Sequence, residues 1–441
     1  MTERRPGKKS ASAENHGGAL GLAPPSGMRD LLPPDAAARA HLRRLINETF
    51  ALYGYEQVVT PVFELAEVIE RGLETVDRRD LLRFVEPETG EVALLRPDIT
   101  PQIARIVATS LSRRPPPYRL SYEGTVIRRR RGRARKQKQI WQSGVELVGL
   151  PGPDADVEVI EVAARAVERA GLAAFRIELA HVAIASEALE AVPEAVRPEA
   201  ITALAQKDVY ALEHTLERAG VAKRDRTALT RIAVAFGEED VLRAATKSLT
   251  SARAQKALGE LRAVIDRLGD SGLGDRVGVD LGELRGQAYY TGVSFTLLAD
   301  GPGEPVGGGG RYDRLLERFG APLPATGFAI DVDHLEWALV AANVVRTIPR
   351  PSRVLLATTD PRRDAKLSGE LRAHGVPVAR VATKDARQAL AYATSWGYDC
   401  VLLAGPKGPR ALRVADGVAR SFTTLDAQTI ADIAAFARNE S

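Results

Sequence analysis

Reactive and metal-binding side chains are scarce: one cysteine, Cys400, in 441 residues, and six histidines, His16, His41, His181, His214, His334 and His374, spread along the chain. A single thiol excludes an internal disulfide and a cysteine-based zinc cluster, and it fits a reducing compartment. The scattered histidines form no metal constellation, and no nucleophile stands beside an evident base, so no metal, cofactor or catalytic residue is expected. No stretch approaches 18 uninterrupted apolar residues, and the N-terminus MTERRPGKKSASAENHGG lacks the apolar core of a signal peptide; a cytoplasmic chain that does not engage a membrane is expected. No Gly-Lys-Ser/Thr follows the glycines at 307–310, which excludes a P-loop. The C-terminal region lacks Gly-x-Gly-x-x-Gly, so dinucleotide binding is not expected. Net charge is only +4, so this is no histone-like coat for nucleic acid.

Positive charge is concentrated in one place. Arg128, Arg129, Arg130, Arg131, Arg133, Arg135, Lys136 and Lys138 follow one another without an acid, between a β-prone lead-in from Tyr122 and an alternating run over 140–147. The pattern predicts a hairpin with a cationic loop. Residues 1–25 are small, polar and charged, and a disordered tail is expected. A helix is expected over 36–53, ended by Gly54, then a strand over 55–63 with Pro61 suited to an edge or an interface, and a helix over 64–73. Strands over 81–85 and 92–95 lead to a helix from about 102 to 111. Helices are expected over 154–170 and throughout an insertion at about 182–273. Strands follow at 276–280 and 293–299, and residues 327–334 open a closing helix that runs to about 343. Residues 346–352, with Pro349 and Pro351 among basic residues, read as a linker between a core at 26–345 and a small α/β domain at 353–441.

Three kinds of side chain stand out. Arg128 and Arg285 can fork onto a carboxylate or a phosphate. Asp98 and Glu146, aided by Gln142, can hold a cationic amine, and Tyr289 and Tyr290 offer a planar wall with a hydroxyl tip. Together they suit a small zwitterion with an aromatic side chain, such as an amino acid. Taken singly, each charge is equally readable as a surface ion pair, and Asp98 or Thr100 as the cap of the following helix. The four glycines at 307–310 fit a close approach to a ligand or strand as well as a tight junction.

Six segments nevertheless occur in one recognisable order: Gly27-Met28-Arg29-Asp30, Leu95-Arg96-Pro97-Asp98-Ile99-Thr100, Val126-Ile127-Arg128, Gln142-Ser143-Gly144-Val145-Glu146, Leu284-Arg285-Gly286-Gln287-Ala288-Tyr289-Tyr290-Thr291-Gly292 and Gly309-Gly310-Arg311-Tyr312-Asp313. They resemble the histidyl-tRNA synthetase core over about residues 26–345. The resemblance implies an α+β fold: a class II aminoacyl-tRNA synthetase-like antiparallel sheet flanked by helices, dimerising through 54–64. The C-terminal domain is similar to an anticodon-binding domain. In synthetases a glutamate that helps hold ATP stands where this chain has Arg130, and a glutamate and a triphosphate-gripping arginine end the segment that here reads 327–334.

Those departures resemble the regulatory subunits of ATP phosphoribosyltransferase, synthetase paralogues without adenylation chemistry. That likeness implies a homodimer assembled with the short catalytic subunit, and L-histidine as an allosteric feedback ligand. Arg128, Gln142, Glu146, Arg285, Tyr289 and Tyr290 match the histidine-binding positions, Thr100 matches by type, and Asp98 stands in for a glutamate. The alternative is a histidyl-tRNA synthetase charging tRNA, for which the full C-terminal domain speaks. Nucleic-acid binding through the 128–138 loop ranks last.

Overall fold

The computed structural model describes residues 22–72, 81–128, 138–284, 290–344, 351–405, 408–423 and 427–438. The chain forms two compact units, Met1–Arg346 and Thr347–Ser441. The expected N-terminal tail lies almost wholly outside the described residues, as does the cationic loop at 129–137.

The strands of the first unit are β1 (Glu56–Gln57), β2 (Phe63–Leu65), β3 (Arg83–Val85), β4 (Val92–Leu95), β5 (Tyr118–Ile127), β6 (Gln139–Val148), β7 (Arg176–His181), β8 (Phe236–Gly237), β9 (Val277–Asp280), β10 (Val293–Leu298), β11 (Gly307–Arg311) and β12 (Ala325–Asp331). Among the described residues nine of them make one sheet in the order β1-β5-β6-β12-β11-β10-β7-β9-β8. Only β1–β5 and β7–β9 run parallel; the other neighbours are antiparallel. The hairpin anticipated around Arg128 is β5 and β6, paired from Tyr118 opposite Val148 to Ile127 opposite Gln139.

Alternation along β6 sends Val145 and Leu147 into the larger core, under the helices Asp35–Leu52 and Pro153–Arg169. The first of these helices buries Leu42, Ile46 and Phe50 at helical spacing, and Gly54, with φ +80, lets the chain turn away after it. On the opposite face the helix Thr100–Ala108 presses Ile103, Ala104 and Val107 onto Tyr122, Val126 and Ile140. This second face carries the candidate site.

Two expectations need correction. The single strand over 55–63 is two short strands in different sheets, because Pro61 cannot sustain a ladder and the Thr60 and Pro61 carbonyls turn instead to the buried guanidinium of Arg96, at 3.0 and 2.9 Å. The helix expected from 327 begins only at Val332; Ala325–Asp331 is a central strand between β6 and β11. Gly327 and Ala329 mask its alternation. A Cβ at Gly327 would overlap the Glu146 carboxylate, so nothing larger fits there.

The 182–273 region is helical, from Val182–Glu190 to Ala252–Asp270, broken by the two-residue strand β8 at the sheet edge. The second unit has strands β13 (Val354–Ala357), β14 (Val378–Val381), β15 (Cys400–Gly405), β16 (Gly408–Arg413) and β17 (Ala419–Ser421) in the order β14-β13-β15-β16-β17. Leu367, Leu371, Ile430 and Ile433 cover one face and Ala389 and Ala393 the other, giving a helix-covered α/β sheet. No helix among the described residues is long and apolar enough to cross a membrane.

Candidate functional site

Gln142, Gly144 and Glu146 alternate onto the face that carries the helix Thr100–Ala108. Opposite them on β12 stand Asp331, Ala329 and Gly327. Glycine at 144 and 327 leaves room for larger neighbours to lie flat: a Cβ at Gly144 would come within 2.6 Å of the Tyr122 hydroxyl. Glu146 is the buried centre, at 1% exposure. The Thr100 hydroxyl donates to its Oε1 at 2.7 Å, and the Tyr312 hydroxyl donates to Oε2. Burial pushes the Glu146 carboxyl up to about 8, even though both hydroxyls favour the charged form. The Tyr122 phenol, above the same carboxyl, is also pushed well above its usual range by burial.

Asp98 and Arg128 mark the rim. Asp98 accepts the Thr100 N–H at 3.1 Å and faces Arg128 Nη2 at 3.4 Å, while Arg128 Nε donates to the Pro97 carbonyl at 2.6 Å. Asp98 stands one residue before the N-cap Ile99 and helps order the helix start through the Thr100 N–H, and the same carboxylate lies beside Arg128. The Tyr290 phenol is pushed above its usual range by burial and by the nearby Asp98 and Glu146. Five of the predicted residues, Asp98, Thr100, Arg128, Glu146 and Tyr290, are thus brought together, and Gln142 lies on the same face. Arg285 and Tyr289 lie outside the described residues.

Segment 327–334 enters the same region. Asp333 accepts Arg29 Nη2 at 2.5 Å, Arg39 Nη2 at 2.8 Å and the Trp141 N–H at 2.9 Å. Burial would raise its pKa, but the Trp141 N–H and the Arg39 and Arg29 guanidinium groups hold it below the usual carboxylate range. Glu336 takes two further Arg39 contacts, from Nε at 3.1 Å and from Nη2. His334 points its Nδ1 at the Pro305 carbonyl, 2.6 Å away. Arg311, from the Gly309-Gly310-Arg311 segment, turns to the opposite face and clamps Asp156 at 2.9 Å and the Gly152 carbonyl at 2.7 Å.

Sequence reasoning missed Tyr312, Tyr122 and Asp331. Tyr312 stood within a recognised segment and Tyr122 opened the hairpin, so both were visible. Asp331 gave no signal of its own, since it matters only through its cross-strand partner. Among the described residues no group of three or more histidine, cysteine or acidic side chains could hold a metal ion.

Residues 27–335 match the family model described as Histidyl-tRNA synthetase. An ATP phosphoribosyltransferase regulatory subunit from Anaeromyxobacter sp. is 42% identical over 346 residues, 78% of this chain and 100% of that relative. Another, from Moorella thermoacetica, is 38% identical over 373 residues, 84% of this chain and 94% of that one. Among solved structures, an ATP phosphoribosyltransferase regulatory subunit/histidyl-tRNA synthetase from Bacillus halodurans matches with a TM-score of 0.75 at 28% identity, over 86% of this chain and 97% of that one. Histidyl-tRNA synthetase from Nostoc sp. PCC 7120, at 20% identity, shares the fold with a TM-score of 0.75 over 93% of this chain and 98% of its own. Similarity of this extent to complete relatives shows that the chain belongs to the ATP phosphoribosyltransferase regulatory subunit family, built on the class II histidyl-tRNA synthetase fold.

Proposed function

We propose that this chain is a histidine-sensing regulatory subunit of ATP phosphoribosyltransferase, acting in the cytoplasm beside a short catalytic subunit and performing no chemistry itself. The observation that carries the reading is the contrast between the two halves of the site. In the half where synthetases use a glutamate and an arginine on the triphosphate, Arg29 and Arg39 are engaged by Asp333 and Glu336, and His334 is turned to a backbone carbonyl. In the other half Asp98, Thr100, Gln142, Glu146, Arg128 and Tyr290 share one face, which supports an amino-acid site there.

Gln142 and Glu146 are four residues apart on one face, about 13 Å along the strand. Their side chains therefore suit two polar ends of one ligand rather than a single atom. Histidine meets that requirement with its ammonium and its ring, and Arg128, with Arg285 by family likeness, would take the carboxylate. Tyr289 and Tyr290 would flank the imidazole. Val59, at 85% exposure, with Val62, Phe63, Val85 and Val92 leaves an apolar surface on and beside the β2-β4-β3 sheet, which supports a homodimer within the hetero-oligomer.

The α/β unit at Thr347–Ser441 favours the alternative, a synthetase that activates histidine with ATP and charges tRNA. One pair of assays separates the two. The regulatory reading requires that the chain co-purify with the short catalytic subunit from its own genome and raise its activity, with histidine suppressing the gain. Histidine-dependent ATP–pyrophosphate exchange would overturn it in favour of the synthetase.

A further inference from the structure

Gln142 and Asp331 are direct cross-strand partners on β6 and β12, on the site face, 2% and 9% exposed. Gln142 Nε2 donates to Asp331 Oδ1 at 3.2 Å, and the other oxygen of Asp331 lies 3.6 Å from His334 Nδ1. A carboxylate only accepts, so the amide of Gln142 must present its nitrogen to Asp331. Its oxygen is thereby committed to the opposite direction, and Gln142 Oε1 is buried with no hydrogen-bond partner. A buried acceptor left in that condition is destabilising unless a donor arrives. Had position 331 carried a donor, the amide would be free to reverse and show its NH2 group instead.

We propose that Asp331 is a positioning residue that fixes the Gln142 amide with its oxygen toward the ligand, so that this end of the site selects an ammonium group and rejects a carboxylate or phosphate. The inference rests on the histidine reading of the site and deepens it. Asp331 acts through Gln142: the strand pairing sets the distance and the carboxylate sets the polarity.

The test uses the full chain and three probes in calorimetry: L-histidine, L-histidinol, which keeps the ammonium but lacks the carboxylate, and imidazole-4-propionate, which has the reverse. The wild type should bind histidinol better than imidazole-4-propionate. In Asp331→Asn, which keeps the shape and supplies a donor, the ratio of the two dissociation constants should fall by about ten-fold or more. The double variant Asp331→Asn with Gln142→Glu exchanges amide and carboxylate across the same rung, returns an acceptor to the ligand side, and should restore the ratio. A purely structural role would weaken all three probes in parallel and would not be rescued by the exchange; either result overturns the proposal. If Asp331→Asn fails to fold, the double variant read alone decides, because a wild-type preference supports the proposal and its loss overturns it. Wild-type chain that takes up none of the three probes would bring down the histidine reading together with this inference. Wild-type binding with an unmoved ratio would bring down this inference alone.

Discussion

The Thr100 hydroxyl lies 2.7 Å from Glu146 Oε1, joining the first residue of a helix to a strand 46 positions further along the chain. Both groups are buried, so the contact sets the floor of the site and also orders the helix that covers it. Thr100→Val keeps the shape and removes the donor. It should cost about 1 kcal/mol of stability in urea unfolding and weaken histidine binding, whereas Thr100→Ser should retain both.

Glu146 makes the site pH-sensitive. Its carboxyl is raised to about 8 by burial, against about 4.3 for an unfolded glutamate. The folded chain therefore holds the extra proton between these values, and the stability this gives is full at low pH and is lost as pH rises through about 8. Unfolding free energy measured across this window should decline with pH, and Glu146→Gln should flatten the decline. Binding of a ligand cation beside Glu146 near pH 7 should expel a proton, which calorimetry in buffers of different ionisation heat would register.

Arg128 should separate binding from stability. Its pairing with Asp98 is part-exposed on both sides and spans 3.4 Å, so Arg128→Ala should change unfolding free energy by under about 1 kcal/mol. The loss of a guanidinium aimed at a carboxylate should nonetheless raise the histidine dissociation constant by about ten-fold or more. Equal losses in both measurements would mean that Arg128 is a scaffold residue.

Asp333 should behave in the opposite way. It anchors Arg29, Arg39 and the Trp141 N–H from a buried position. Asp333→Ala takes that acid from the partly exposed Arg29 and from Arg39, which keeps Glu336, and should cost about 1 to 3 kcal/mol, read in urea unfolding.

Much of this architecture was legible because local pattern and tertiary role agree. The β5–β6 hairpin alternates cleanly, and Arg128, Gln142 and Glu146 fall where its geometry puts them. The small α/β domain read at 353–441 contains the helices Ala386–Trp396 and Ala427–Arg438 among its alternating elements. The strand β12 was not legible, since Gly327 and Ala329 occupy the positions where side chains would have shown the period. At Gly327 the size is dictated by Glu146 on another strand, which no local window contains. Asp331 was hidden for a related reason: its partner Gln142 is 189 positions away, and the meaning of the acid lies in how it turns an amide. Proline at 61, read as suited to an edge or an interface, lies between β1 and β2, and the carbonyls around it answer to Arg96, which sequence spacing does not reveal.

The bare backbone at Gly144 and Gly327 has an experimental consequence. Tyr122 lies over one and Glu146 over the other, so the contour of this floor is set by atoms that the chain does not carry. Truncation scanning passes silently over such positions, because nothing remains there to remove. The informative change runs the other way, adding one carbon by Gly→Ala, and because the new Cβ would also meet the Phe328 carbonyl from position 144 and the Val145 carbonyl at 2.6 Å from position 327, the strand pairing should be lost together with the site.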